Sequence, residues 1–304
     1  MKNTLFIWFI LAAMISSCGF DDEEVAYGTT MVYFYNQEYN RNVVVGEGLR
    51  VRPGIMFSGL LQNSRDRVVN YTIDPSVITD PSKSELPAEY YTVSDGGKIV
   101  VPAGEFQGYI TVTLDSAAFL ADPKAVTGEY VLPLRLTGSA DVDSVNASKD
   151  YMAISISYWA KQHGNYYYSG KTVRKSGTSE ETLNYKNTST MNESIRELIT
   201  TGPTRLLVKS DGTASSKDPG KGKFNFTVEL PTHGGGQVII GSDSGSSIAV
   251  SPNGTSTYNA DSRTFYLNYK YTDGDWTCEA SDTLVFRNRI RDMQSDGQGL
   301  NEWR

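Results

Sequence analysis

Tyr151-Met152-Ala153-Ile154-Ser155-Ile156-Ser157-Tyr158 (YMAISISY) alternates with a period of two. In an extended chain, successive side chains point to opposite faces. Met152, Ile154, Ile156 and Tyr158 therefore share one face, and Ser155 and Ser157 the other. That is a strand in a sheet with one core face and one wet face. Upstream, short apolar runs recur between turn residues. Val32 to Tyr35 ends at Asn36, Val43 to Val45 at Gly46, and Val68 to Ile73 at Asp74-Pro75. Tyr90 to Val93 turns at Asp95-Gly96-Gly97 and returns as Lys98 to Val101, followed by Tyr109 to Leu114 and Tyr130 to Leu136. Strands of this length at this spacing, with no sustained helical period, predict a β-sandwich over residues 29–159. Asp115 to Gly128 reads as a crossover with one helical turn.

Trp159 to Gly164 marks a boundary, and a second all-β domain is expected over 164–304. Its strands are Tyr166–Val173, Leu183–Tyr185, Thr204–Lys209, Lys223–Leu230, Gly236–Gly241, Ser247–Val250, Arg263–Thr272 and Thr283–Arg287. In Arg263–Thr272, Phe265, Leu267, Tyr269 and Tyr271 share one face, and Tyr266, Asn268 and Lys270 the other. About eight antiparallel strands predict an up-and-down barrel or strongly bent sheet, similar to a lipocalin. One short helix is expected to interrupt it. Met191, Ile195, Leu198 and Ile199 fall on one helical face, Asn192 is placed to cap it, and Gly202-Pro203 to stop it.

His163 to Gly177 (HGNYYYSGKTVRKSG) contains Ser169-Gly170-Lys171-Thr172, the tail of a phosphate loop. The loop requires four residues between its glycines so that consecutive N–H groups curl around phosphate. Here five separate Gly164 from Gly170, and three are tyrosines, which favour strands. The run is read as a strand. Tyr167 must face away from Tyr166 and Tyr168, so one set is buried and the other is exposed or lines a cavity.

The first residues carry an address. Lys2 precedes an apolar run, Leu5 to Ile15, which as helix spans about 16 Å, far short of a hydrocarbon core of about 30 Å. Small residues follow, ending at Cys18, so residues 1–17 read as an export signal. Ile15-Ser16-Ser17-Cys18 resembles the lipobox of bacterial lipoproteins, in which the cysteine is acylated and becomes the mature N-terminus. Several acyl chains anchor stably where one does not. Residues 18–28 form an acidic tether through Asp21-Asp22-Glu23-Glu24, resembling the export tag of Bacteroidota surface lipoproteins. That resemblance implies a lipid-anchored protein of the outer membrane, facing the exterior.

The formal net charge is −7, which argues against nucleic acid, since that partner wants a basic patch. Of two cysteines, an acylated Cys18 leaves Cys278 without an intramolecular partner. Cys278 reads as a small buried apolar residue. The two histidines, His163 and His233, have no partners at metal-ligand spacing, so no metal or cofactor is expected.

Val101-Pro102-Ala103-Gly104-Glu105, with Leu86 to Tyr91 upstream and Tyr109 to Leu114 downstream, resembles the N-terminal Ig-like domain of unknown function in Bacteroidota lipoproteins. Tyr269 to Trp276 (YKYTDGDW), Asp282 to Asp292 (DTLVFRNRIRD) and Asn301 to Arg304 resemble the lipocalin-like C-terminal domain of unknown function that accompanies it. This resemblance implies a non-catalytic accessory of a polysaccharide-uptake system of the starch-utilisation type. Its partners would be a glycan, a SusC/SusD-like transporter pair and, through Cys18, the bilayer. The family supplies no ligand residues.

Candidate ligand residues come from chemistry alone. Sugars lay C–H faces on aromatic rings and present hydroxyls to amides and carboxylates. Tyr166 and Tyr168 qualify as one face of the tyrosine run. Trp276 qualifies in the turn-rich Thr272 to Trp276, with Asp273 and Asp275 beside it; the alternative for Trp276 is a strand-start residue covering the barrel end. A glycoside hydrolase would need two carboxylates about 5–10 Å apart. Asp273 and Asp275 share a face if extended, but Asp273-Gly274 reads better as a turn. No catalytic constellation is visible. An adhesin or structural subunit of a surface assembly is the third class, since β-domains serve many roles.

Overall fold

A computed structural model describes residues 26–185, 195–210, 218–231, 234–290 and 302–303. The signal, Cys18 and the acidic run lie outside these residues, as do Met191, Asn192 and His233.

The N-terminal part is a β-sandwich. Its strands are β1 (Ala26–Phe34), β2 (Glu38–Val44), β3 (Arg50–Val51), β4 (Gly54–Leu60), β5 (Arg67–Ile73), β6 (Ser84–Glu85), β7 (Tyr91–Val93), β8 (Lys98–Val101), β9 (Gln107–Tyr109), β10 (Val112–Leu114), β11 (Tyr130–Gly138), β12 (Ser144–Val145) and β13 (Tyr151–Trp159). One sheet runs β2-β13-β11-β5-β8 with β6 also on β11; a second runs β12-β1-β4-β9; a third, small, is β3-β10-β7. The alternation of β13 is realised: Met152, Ile154, Ile156 and Tyr158 are buried, packed in one core with Leu132 and Leu134 of β11 and with Val32, Phe34 and Ile55 of β1 and β4. The crossover carries one helix, α1 (Ser116–Ala121), capped by Asp115, whose carboxylate accepts from the N–H groups of Ala117 and Ala118.

The C-terminal part comprises β14 (Gly164–Ser176), β15 (Ser179–Tyr185), β16 (Ile195–Thr200), β17 (Arg205–Val208), β18 (Phe226–Glu229), β19 (Gly236–Ser242), β20 (Val250–Pro252), β21 (Ser256–Asn259), β22 (Thr264–Asp273), β23 (Trp276–Arg289) and β24 (Glu302–Trp303). Pairing passes from β14 through β16, β17, β18, β19, β21, β22 and β23, and β23 pairs back onto β14 from Lys175↔Thr277 to Asn165↔Asn288. The sheet therefore closes on itself as a barrel. Its inner face supplies a second core, separate from that of the sandwich. The first four residues of β14 pair with β16, and Gly170 to Ser176 pair with β15, while β23 stays paired with β14 as far as Lys175.

Two expectations are corrected. Ile195–Thr200 is a strand, not a helix. Arg196, Leu198 and Thr200 are buried while Ile195 and Ile199 are only half-buried, a period of two that the helical face had hidden. Leu198 pairs with Gly164 on one side and Val208 on the other, so two flanking ladders settle its conformation. The last long strand begins at Trp276 rather than Thr283, because its first residues pair with β22 across the turn at Gly274-Asp275.

The two cores meet at a polar seam. Arg289, 1% exposed, donates to the carboxylate of Glu47 at 2.7 Å and to the carbonyl of Lys161 at 2.9 Å. Trp159 stacks on His163 at 4.2 Å and 9°. The N–H of Thr200 donates to His163 Nδ1 at 3.1 Å. Burial holds the His163 imidazole down to about 4, so it is neutral and can accept.

Candidate ligand-binding surface

β14 places its tyrosines by simple alternation. Tyr166 and Tyr168 point into the barrel and are buried; Tyr167 points outward beneath the Arg287 guanidinium at 5.7 Å. Tyr166 packs edge-on to Phe265 and Phe286 at 5.6 and 5.5 Å and donates its hydroxyl to the Gln162 carbonyl at 2.8 Å. It fills the barrel end nearest the sandwich.

One strand period further on, the interior becomes polar. The Tyr168 hydroxyl donates to the Asp218 carboxylate. The Arg196 guanidinium sits 4.5 Å from the Tyr168 ring centre and 3.8 Å from the Asp218 carboxylate. Asp282 accepts from Tyr269 at 2.8 Å and, on its other oxygen, from Tyr185. Burial raises the proton affinity of Asp282, opposed by Arg196. Asp218 is pushed up to about 6, by burial first and by the neighbouring Asp282 second. Burial also pushes the Tyr185, Tyr269 and Tyr271 phenols upward, so all stay protonated donors. These two carboxyls resemble an acid pair in their titration, but tyrosine hydroxyls engage both and both lie inside the barrel. Their arrangement suits a structural network.

Gly170 explains the phosphate-loop remnant. A Cβ there would stand 2.7 Å from Asp282 Oδ1 and 2.8 Å from the Tyr185 ring. Its hydrogen side chain makes room for that network, and Thr172 follows on the same inward face, buried.

At the opposite end, Asp273 and Trp276 pair across a two-residue turn, Gly274-Asp275, with Gly274 at φ +61°. Asp273 forms an ion pair with Lys223, and Asp275 is exposed. Trp276 packs partly buried against the barrel core, with the Arg174 guanidinium 4.4 Å from its ring centre. Arg174 in turn donates twice to Glu181, at 2.8 and 2.6 Å. The structure thus brings Asp273, Asp275 and Trp276 together. It sets them well apart from Tyr166 and Tyr168: Tyr168 pairs with Leu284, eight residues and about 27 Å along the strand from Trp276.

The outer face of β22, β23, β14 and β15 presents different chemistry. Register aligns Tyr266, Thr283 and Ser169 in one cross-strand row and Asn268, Ser281, Lys171 and Asn184 in the next. Tyr266 is 46% exposed. Two strand spacings, about 10 Å, separate it from Ser169. There a cleft of about 410 Å³ opens, lined by Ser169, Gly170, Lys171, Asn184, Tyr185 and Ser281. An aromatic ring, neutral hydroxyls, two amides and one ammonium share this face. Alternation in the sequence sets Tyr266 and Asn268 on the face opposite Phe265 and Leu267 without selecting them as ligand residues. What was missing was the partner strand: β14 and β22 lie about a hundred residues apart in the chain, and only barrel closure through β23 sets their side chains in rows. Among the described residues, no group of three or more His, Cys, Asp and Glu side chains is placed to hold a metal ion.

A family model described as a "-like, N-terminal domain" matches residues 24–143. No curated protein matches. A structural-genomics protein of unknown function from Bacteroides ovatus superposes with a TM-score of 0.69 at 20% identity, covering 85% of this chain and 95% of that one. The two share a fold. Remoter likenesses are to an auxiliary nutrient binding protein from Bacteroides thetaiotaomicron VPI-5482 (TM-score 0.44, 16% identity, 88% of this chain and 96% of that one) and to a provisionally described carbohydrate binding protein from Bacteroides ovatus ATCC 8483 (TM-score 0.33, 15% identity, 84% and 98%). At those TM-scores the likeness carries no argument.

Proposed function

We propose that this chain is a glycan-binding lipoprotein without catalytic activity, held on the outer face of a bacterial outer membrane through an acylated Cys18. The observation that carries the binding reading is the outer face of β22-β23-β14-β15. There the exposed ring of Tyr266 lies about two strand spacings from a cleft lined by hydroxyls, an amide and the Lys171 ammonium. Apolar C–H faces and hydroxyls are the two things a sugar offers, and this face matches both. Of the residues singled out from sequence, Trp276 has a ring face covered by Arg174 and Asp273 is paired with Lys223, so the contact surface is placed here on β22 and β14 instead.

The absence of catalysis is part of the proposal. The acids with raised proton affinity, Asp218 and Asp282, are engaged by tyrosines in the barrel interior. The finer architecture proposed is an Ig-like sandwich followed by a lipocalin-like barrel, with boundaries at 29–159 and 164–304. The lipobox resemblance at Ile15 to Cys18 supports the anchor, and the domain resemblances support a place beside a SusC/SusD-like transporter pair. Affinity electrophoresis through gels containing single polysaccharides tests the binding. At least one polymer is expected to retard the protein, and Tyr266→Ala to weaken that retardation about tenfold, as loss of one central aromatic contact does. Migration unaffected by every polymer would overturn the reading. So would release of reducing sugar at substoichiometric protein. For the anchor, intact-mass measurement on native material is expected to show added acyl mass at Cys18, and unmodified mass would refute it.

A further inference from the structure

The cleft beside Ser169 carries a charge that its described lining leaves unanswered. On the β14–β15 hairpin each neighbouring cation faces a carboxylate. Arg174 stands opposite Glu181 and is bonded to it at 2.6 Å; Lys175 stands opposite Glu180 at 3.3 Å. Lys171 lies on the same strand and is exposed, yet the position opposite it on β15 is Asn184 and on β23 is Ser281. Both are neutral, and Lys171 has no ion-pair partner among the described residues. The cleft lining contains no carboxylate, in a chain whose net charge is −7. The Asp282 carboxylate beneath belongs to the inner face and is engaged by Tyr185 and Tyr269.

We propose that this cleft selects sugar units bearing an anionic group, a carboxylate or a sulfate ester, with Lys171 pairing to the anion while Asn184, Ser169 and Ser281 bind neighbouring hydroxyls. The inference rests on the glycan-binding reading above and names its ligand class. A lone ammonium flanked by neutral donors and acceptors suits an anion, because a charge-assisted hydrogen bond exceeds a neutral one and no carboxylate among the described residues lines the cleft or is ion-paired with Lys171. The long stem of Lys171 lets the charge follow the sugar without fixing a single geometry.

The test uses affinity electrophoresis at low salt with four polymers: polygalacturonate, its methyl-esterified form, κ-carrageenan and agarose. Each acidic polymer is thereby set against a neutral counterpart, and the two arms separate carboxylate from sulfate. One acidic polymer is expected to bind about tenfold more tightly than its neutral partner, the scale of one charge-assisted contact. Lys171→Met should abolish that difference and Lys171→Arg should retain it. Lys98→Met, which removes an exposed charge from the sandwich, should leave it unchanged. Equal binding of acidic and neutral forms, or an unaltered preference in Lys171→Met, would overturn the inference. Retardation by neutral polymers alone, or by none of the four, sinks the anion selection; glycan binding itself falls only when no polysaccharide retards the protein.

Discussion

A methyl group at Gly170 would stand within 3 Å of the Ser281 carbonyl, the Asp282 carboxylate and the Tyr185 ring. Gly170→Ala puts a Cβ against the Asp282 carboxylate and the Tyr185 ring, and the strand cannot retreat because it is paired on both edges. The expected cost is about 1–3 kcal/mol, the usual range for overpacking, read as a lower urea midpoint. Asp218 makes a second prediction at this scale. Its folded-state proton affinity, about 6, lies above the unfolded value near 4, so the native state holds the extra proton between those pH values. Stability from this group is therefore greatest below about pH 4 and is lost as pH rises through 6. Relative to Asp218→Asn, the wild type should lose on the order of 2 kcal/mol between pH 4 and pH 7. Urea denaturation of both proteins at the two pH values measures it, and a pH-independent difference would refute the assignment. The buried Tyr166 shows how far such residues could be read in advance. Alternation placed Tyr166 and Tyr168 on one face of β14, but whether that face was inside depended on β23 and β16, distant in the chain.

Among the elements, β16 is the instructive one. Ile195, Leu198 and Ile199 satisfy i, i+3 and i+4 as well as any helix, and no local residue forbids it. The competing alternation of Arg196, Leu198 and Thr200 was obscured because an arginine and a threonine occupy inward positions. Both are there because the interior is polar at Arg196, beside Tyr168 and Asp218, and because Thr200 accepts from the Ala160 N–H at the seam. Strand geometry separates two substitutions that a helix would make alike. Leu198→Ala should cost about 2–4 kcal/mol, since its side chain is fully buried. Ile199→Thr, on the outer face, should cost under about 1 kcal/mol. Comparable losses in the two urea titrations would favour the helix. β13, by contrast, was legible outright: its apolar residues are regular and its outward residues are small and polar, so local pattern and tertiary burial agree.

For the molecule as a whole, the sandwich and the barrel each have a core, and Arg289 stands at the seam between them. Arg289 bridges Glu47 from the first part to the Lys161 carbonyl at the start of the second. Arg289→Met would leave that carbonyl and carboxylate without this donor, at a cost of about 1–3 kcal/mol. The expected readout is calorimetric: one unfolding transition should separate into two as coupling between the cores weakens. A single unshifted transition would show that the seam does not depend on Arg289. The all-β character of both parts was legible from strand spacing, whereas this bridge was not, since its partners stand 242 residues apart in the chain. The same closure that hid the bridge also made the outer face of β22-β23-β14 into one surface, the one proposed to bind glycan. Affinity electrophoresis of wild type beside Tyr266→Ala tests it most directly. At least one polysaccharide should slow the wild type and slow the variant far less; equal mobility of the two in every gel would contradict ligand binding on this surface.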